Sequence, residues 1–297
     1  MPPRVLLIVN PFASGVTEER VESVERTLRG VGDVETQLTR ARAHAIELAA
    51  GAHDVDAIVV FSGDGGYNEA LNGIERDVPI GFVPGGGTSV LPRALGLPRD
   101  PDEAARRVAA ALAAGRSRRI SLGRVNGRRF GFNAGIGLDA EAVRRLEALG
   151  RAEDGRRPGD VAFALTLVRT LAAHRLRFED QLEIAGHGRA GLIFVANCDP
   201  YTYLGAAPLH LVPDAQFELG LDFVAPAEVR PLRLPVVAVR ALAGRLKGSS
   251  QALAGHDLDR IEVTCEAPLP LQADGEDLGD VQRVVFEAER DAISVLV

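Results

Sequence analysis

The 297-residue sequence has only two cysteines, Cys198 and Cys265. Two thiols build no disulfide framework. A reducing compartment is therefore the simple expectation, with both sulfurs as core residues in apolar, strand-like surroundings. No run approaches the roughly 20 apolar residues that a membrane-crossing helix needs, so any membrane contact is expected to be peripheral. The opening residues lead straight into the short apolar run 5–9. It is too brief for a signal-peptide core and reads as a strand. Positive charge is in deficit: 34 Lys and Arg against 41 Asp and Glu give a formal net charge of -7. That balance argues against nucleic acid as the main partner. His44, His174 and His256 stand alone, without metal-ligand spacing, and read as structural or surface groups. There is no internal repeat. With 46% hydrophobic and 25% charged residues, the chain has enough apolar material for a sizeable core and two domains.

Against this background one stretch stands out, Ser62-Gly63-Asp64-Gly65-Gly66-Tyr67-Asn68-Glu69-Ala70. The apolar run 57–61 before it reads as a buried parallel strand, and a helix is expected over 69–74. A strand, a glycine-dense turn and a helix start make a phosphate cradle. Glycine lets backbone N–H groups approach phosphate oxygens, and the helix dipole favours the anion. Asp64 places a carboxylate inside that anion site. It would repel bare phosphate, so a bridging Mg²⁺ is the natural partner. A second turn, Pro84-Gly85-Gly86-Gly87-Thr88-Ser89, follows a strand over 78–83 and precedes a helix over 90–96. Two such turns in tandem suit one nucleotide at adjacent strand ends.

Strands and helices alternate up to about residue 120: strands over 5–9, 34–38, 57–61 and 80–83, helices over 17–30, 43–52 and 101–115. This predicts a parallel, Rossmann-like α/β domain over 1–120. Short strands then follow over 119–125, 128–133, 181–184, 189–196, 221–224, 260–265 and 284–289. They predict an antiparallel β-sandwich-like domain over 121–297. Within it, 160–177 and 229–247 read as helices, 140–149 as a helix at whose start Asp139 serves equally well as a cap or as a functional group, and 150–159 as a surface loop.

Four motifs together resemble the diacylglycerol-kinase catalytic-domain family of lipid kinases, related to sphingosine and NAD kinases. Asn10-Pro11-Phe12-Ala13-Ser14-Gly15 resembles the family's opening Asn-Pro-x-x-Ser-Gly loop, and Gly63 to Glu69 its Gly-Asp-Gly-Thr-x-Asn-Glu signature. Phe132 to Ala140 resembles a third segment, and Ala273-Asp274-Gly275-Glu276 the late Asp-Gly-Glu motif. The resemblance implies an NAD-kinase-like N-terminal domain that binds ATP and Mg²⁺, a β-rich lipid-substrate domain, and phosphoryl transfer to diacylglycerol or a related lipid alcohol. It implies nucleotide contacts from Asn10, Ser14, Thr39, Gly63, Asp64, Gly65, Gly66, Asn68, Glu69, Gly86, Gly87 and Thr88, with Asp64 on the metal. Asp274 is then the general base and Glu276 its catalytic support. A carboxylate of ordinary pKa, about 3.9, serves in kinases because it mainly orients the hydroxyl and takes its proton late.

Each residue also has a plainer role. Asp274-Gly275 is a common hairpin-turn dipeptide, Asp64 could cap a helix, and Asn133 suits a buried turn. The stretch 199–205 suits either a lipid cleft or a packed loop. The sequence departs from the family pattern where Gly66 replaces a threonine, where the second turn has lost its acid, and where Leu219 replaces an acid near a structural Mg²⁺ site of some members. Arg233, Arg240 and Lys247 line an amphipathic face that suits an anionic membrane. Ordinary packing of the apolar stripe is preferred, because such faces are common. The expected setting is cytoplasmic, with peripheral contact at the inner face of the cell membrane and a homodimer left open. The alternatives are a kinase for a sphingoid base or another alcohol, including NAD, or a nucleotide- or lipid-binding protein with little turnover.

Overall fold

The structure, a computed structural model, describes residues 1–148, 181–226 and 252–297. The loop expected over 150–159, the helices expected over 160–177 and 229–247, and His174, Arg233, Arg240 and Lys247 lie outside the described residues. Two compact units emerge: Met1–Ile120 with Asp291–Val297, and Ser121–Arg290.

The first unit alternates strand and helix: β1 (Arg4–Val9), α1 (Glu18–Arg29), β2 (Asp33–Leu38), α2 (His44–Ala50), β3 (Ala57–Ser62), α3 (Asp64–Gly73), β4 (Ile80–Pro84), α4 (Val90–Ala94) and α5 (Pro101–Ala113). The strands pair in parallel in the order β4-β3-β1-β2. All of β3 and β4 is buried, as covered parallel strands require. Helix ends follow their sequence signals. The Thr17 hydroxyl accepts from Arg20 N at 3.3 Å, with Glu18 and Glu19 in the first turn of α1 and Arg26 and Arg29 in the last. Asp100 caps α5 through Glu103 N at 2.9 Å, with Pro101 next to it. Both patterns satisfy orphan N–H groups and the helix dipole.

The second unit contains β5 (Arg118–Val125), β6 (Arg128–Phe130), β7 (Asn133–Ile136), α6 (Leu138–Ala148), β8 (Leu182–Ile184), β9 (Gly188–Ala190), β10 (Ile193–Ala196), β11 (Thr202–Leu204), β12 (Ala207–Leu209), β13 (Leu221–Pro226), β14 (Ala252–Leu258), β15 (Arg260–Ala273) and β16 (Glu276–Val295). Strands β14-β13-β10-β7-β15-β16 pair in that order, antiparallel throughout. The core gathers Phe130, Ile136, Val195, Phe223, Val263 and Phe286. Cys198 and Cys265 are buried thiols, and burial pushes the Cys265 thiol up to about 11. Beyond residue 290 the last strand re-enters the first unit, where Val295 pairs in parallel with Ile80 and Arg116 Nε reaches Val297 O at 3.0 Å. The first unit is thus discontinuous in sequence.

Several expected elements have different bounds, each for a tertiary reason. The strand expected over 128–133 splits into β6 and β7, because the N–H groups of residues 131–133 turn to the Asp274 carboxylate. The strand expected over 189–196 breaks where Gly191 N bonds Pro226 O at 3.0 Å. Strands β15 and β16 extend far beyond 260–265 and 284–289. Their mutual ladder carries prolines and charges across two register shifts, overriding local propensity. Among the described residues no helix is long and apolar enough to cross a membrane.

Helices α2 and α3 meet where Gly73 leaves no room for a side chain. A Cβ there would overlap the Ile46 carbonyl oxygen and lie 2.9 Å from the Ala49 Cβ. Gly73→Ala gains about 1 kcal/mol of helix propensity, but overpacking costs about 1–3 kcal/mol. The variant should be less stable, by up to about 2 kcal/mol in urea denaturation; a gain in stability would refute this account of the contact.

Candidate active site

Segments from three strand ends converge at one edge of the parallel sheet. Strands β3 and β4 finish side by side, Ser62 opposite Pro84, and β1 finishes beside β3. Asn10 N bonds Phe61 O at 3.0 Å, Gly85 N bonds Ser62 O at 2.6 Å, and Gly15 N bonds Gly85 O at 2.7 Å. The Asn10 side chain accepts from Phe12 N at 3.0 Å, which folds the opening loop back on itself. The backbones pass so closely that a Cβ on Gly86 would stand 2.8 Å from the Gly63 Cα.

Helix α3 starts at Asp64, not at Glu69 as the sequence suggested. Gly63 is its N-cap, and the Gly63 carbonyl accepts from Gly66 N at 3.0 Å and Tyr67 N at 3.2 Å. The glycine turn is thus the cap and first turn of the helix. Tyr67, which the sequence reading passed over, is the cause. Its ring is fully buried edge-on against Phe82 at 5.2 Å, and its hydroxyl lies at the Ser62 and Val83 carbonyls. Burial, with the negative charge of Asp64, holds this phenol well above its usual pKa. An aromatic residue inside a glycine turn was the available signal. The first N–H groups of a helix have no partner within it, so this end of α3 offers donors and a positive dipole to an anion.

Asp64 sits in that first turn and its Oδ1 accepts from Leu91 N at 3.3 Å, tying α3 to α4. Gly87 is exposed, and a Cβ on it would meet nothing within 4 Å. Thr88 is half-buried beside it, and its carbonyl accepts from Arg93 Nη1 at 3.3 Å. Thr39 is buried at the end of β2, with its N–H on Val9 O at 2.8 Å, and Ser14 is exposed on the opening loop. Asn10, Gly63 to Gly66, Gly86, Gly87 and Thr88 therefore share one loop cluster. Asn68 and Glu69 are engaged elsewhere. Asn68 is buried and bonds Asn72 Nδ2 at 3.2 Å. Glu69 accepts from Ala43 N at 2.9 Å and Ala45 N at 3.3 Å, capping α2, whose own Ala43 cap has no side-chain acceptor.

Gly66, where the family pattern set out above has threonine, is packed against Ser62. A Cβ at 66 would overlap the Ser62 hydroxyl, and that hydroxyl is buried with no hydrogen-bond partner. Ser62 thus fills the space that a side chain at 66 would take. Among the described residues no group of three or more His, Cys, Asp or Glu side chains converges as a metal site. One carboxylate beside a helix N-terminus fits a Mg²⁺ that draws its other ligands from phosphate and water.

In the second unit Asp274 and Gly275 form the two-residue turn between β15 and β16, with φ of 48° and 76°. That geometry is the hairpin turn expected of the dipeptide. The side chain does more. The Asp274 carboxylate is buried and accepts from Gly131 N at 2.7 Å, Phe132 N at 3.0 Å and Asn133 N at 3.3 Å. Glu276 is also buried, paired with Arg128 Nη2 at 2.5 Å. Asn133, as expected, serves a buried turn, donating to Tyr201 O at 2.7 Å. Asp139 lies inside α6 rather than capping it, buried, and accepts from the Tyr201 hydroxyl at 2.7 Å and Gln272 Nε2 at 2.9 Å. Burial pushes its carboxyl up, the two side-chain hydrogen bonds opposing. Asp139, Tyr201 and Gln272 were invisible as a group in the sequence, as was the pair of Arg128 with Glu276, since only folding joins them. Asp199 in the stretch 199–205 pairs with His210 at 2.6 Å, and His256 pairs with the buried Asp222 at 2.7 Å.

The diacylglycerol kinase catalytic domain family matches residues 4–125. A diacylglycerol kinase of Bacillus subtilis strain 168 is 30% identical over 241 residues, 78% of this chain and 75% of that protein. A lipid-kinase relative from Streptococcus pneumoniae serotype 4 is also 30% identical, and the match spans 57% of each. Among solved structures, a Bacillus anthracis str. Sterne protein assigned to the diacylglycerol kinases superposes with a TM-score of 0.79 at 23% identity, covering 99% of this chain and 95% of that one. An NAD kinase from Archaeoglobus fulgidus in complex with ATP gives 0.57 at 15% identity, covering 99% and 93%. At these identities the solved structures speak to fold.

Two expectations follow from the side-chain contacts. Glu69→Ala strips the α2 terminus of its acceptor and should cost about 1–2 kcal/mol of stability by urea denaturation; no loss would show that the cap is dispensable. A raised folded pKa means that the Asp139 contribution is fully present below the ordinary value of 3.8 and lost as pH rises through the folded value. The unfolding free energy of wild type relative to Asp139→Asn should therefore fall as pH rises from 4. A pH-independent difference would refute it.

Proposed function

We propose that this chain, which belongs to the diacylglycerol kinase catalytic-domain family, transfers the γ-phosphoryl group of ATP to the hydroxyl of diacylglycerol or a related lipid alcohol. The observation that carries the reading is the glycine-floored junction of β1, β3 and β4 with the N-terminus of α3, where Asp64 stands in the first helical turn. Gly63 and Gly65 would present backbone donors to the phosphates, with Gly66, whose N–H is taken by the Gly63 carbonyl, flooring the turn and Gly86, Gly87 and Thr88 lining it from the facing loop. Asn10, Ser14 and Thr39 would border the nucleotide, while Asn68 and Glu69 act on it through the seating of α3. Mg²⁺, held by Asp64 when bound, would neutralise phosphate charge. The NAD kinase neighbour with ATP supports ATP as the donor.

Asp274 would orient the acceptor hydroxyl and take its proton as the oxygen attacks phosphorus in line and the bond to the β-phosphate oxygen breaks, leaving ADP. Three backbone N–H donors hold the carboxylate in one orientation, which suits a group that must aim before it accepts a proton. Glu276, paired with Arg128, would support the turn rather than touch the metal. Cytoplasmic residence, peripheral contact with the membrane and a homodimer belong to the same proposal.

ATP-dependent labelling of a mixed lipid extract tests it. Wild type should yield a labelled phospholipid from a glycerolipid. Asp64→Asn and Asp274→Asn should each lower the rate by about 10²–10⁴-fold, and Asp274→Asn should keep ATP affinity. A labelled sphingoid base or NAD would move the acceptor to another alcohol. ATP binding without any labelled product would replace the kinase by a binding protein.

A further inference from the structure

The Asp274–Gly275 turn rests on a buried chain of polar side chains. Gly275 N donates to Gln272 Oε1 at 3.0 Å. The other end of that amide donates to Asp139 Oδ2 at 2.9 Å and to Asn133 Oδ1 at 3.0 Å, with the Tyr201 hydroxyl 3.3 Å from the same nitrogen. Asn133 Nδ2 in turn donates to Tyr201 O, which sets its own amide so that the oxygen faces Gln272. Gln272 is 2% exposed, Tyr201 and Asp274 are 4%, Asn133 is 5% and Asp139 is 7%. The chain therefore runs, without solvent, from a carboxylate on α6 to the backbone of the turn.

We infer that Gln272 is a positioning residue for Asp274, holding the turn in place by relaying the charge of Asp139 to the Gly275 amide. The inference rests on the reading of Asp274 as the base. Two features separate this chain from incidental polar packing. First, it is costly. Asp139 is buried, and burial pushes its carboxyl up; taking a carboxylate out of water costs free energy that its hydrogen bonds must offset. Gly135 makes way for it, since a Cβ there would overlap Asp139 Oδ2. Second, its far end is a strained place. Asp274 has φ of 48°, a left-handed conformation that costs a non-glycine residue about 1–2 kcal/mol. Gln272 lies directly after a register shift in β15, so the ladder alone does not determine where the turn sits.

An acid at position 272 exposes the relay. Gln272→Glu can still accept from Gly275 N, but it would face Asp139 across a hydrogen bond that needs a shared proton. The titratable groups around that position are Asp139 from α6, Tyr201 from the segment after β10, and Asp274 from the turn. Asp277, opposite on the β15–β16 ladder, is engaged by Arg144. Turnover of Gln272→Glu should be near wild type at low pH and fall by about 10²-fold as pH rises and the shared proton leaves, with KM for ATP unchanged. Adding Asp139→Asn, which supplies an N–H donor, should restore both rate and pH profile.

Amide exchange at Gly275 reads the same event without turnover: protection lost in Gln272→Glu at high pH and regained in the double variant. A wild-type pH profile and exchange pattern in Gln272→Glu, or a folded double variant no better than the single one, would overturn the inference. Asp274→Asn separates the two claims. If it keeps full turnover, Asp274 is not the base, and the exchange result alone decides whether Gln272 sets the turn. If it loses turnover while Gln272→Glu does not, the base stands and the positioning role falls.

Discussion

Parallel strands that end side by side send their following segments past one another at backbone distance, and the first unit is organised by that constraint. At the ends of β3 and β4 the two backbones nearly touch, and only residues without a Cβ permit the approach of Gly63 to Gly86 and of Gly15 to the Gly85 carbonyl. The hydrogen bonds Gly85 N to Ser62 O and Gly15 N to Gly85 O exist because the chains come that close. The same closeness brings the start of α3, the opening loop and the second glycine loop into one cluster. Phosphate recognition by backbone N–H groups is then a by-product of how the sheet ends.

Tyr67 shows how such a loop becomes rigid. Glycines are entropically poor at holding a shape, so the cradle needs an anchor behind it. A fully buried phenol beside two strand-end carbonyls provides one, and it turns a flexible-looking sequence into the first turn of a helix. Asp64 is thereby carried at a defined place on a helical turn instead of on a loop.

The second unit meets the opposite problem. A charged side chain must be kept buried and aimed. Three backbone N–H donors reach the Asp274 carboxylate, and hydrogen bonds to a charged group are worth about 1.5–3 kcal/mol each. That outweighs the roughly 1–2 kcal/mol of left-handed backbone at an aspartate. The donors come from the gap between β6 and β7, so the interruption of one strand and the aiming of the carboxylate have one cause.

The local motifs were legible in the sequence because they report local physics: glycines at strand ends, an aspartate in a glycine turn, and the alternation of strands and helices. The parallel order of the first unit and the antiparallel character of the second followed from the same periodicities. What escaped was whatever depends on a partner far along the chain. Strand β16 is 20 residues long because β15 pairs with it, not because its residues favour strands. Residues 291–297 return to the first unit because the edge of β4 is open to Val295. The cap that the Glu69 carboxylate gives α2 across 24 residues has no trace in the motif that contains it. The amino-acid order determined which short segments bend, extend or coil. Tertiary structure alone decided which buried polar groups meet, because a hydrogen bond between residues 139 and 272 has no signature in either neighbourhood until the chain has closed between them.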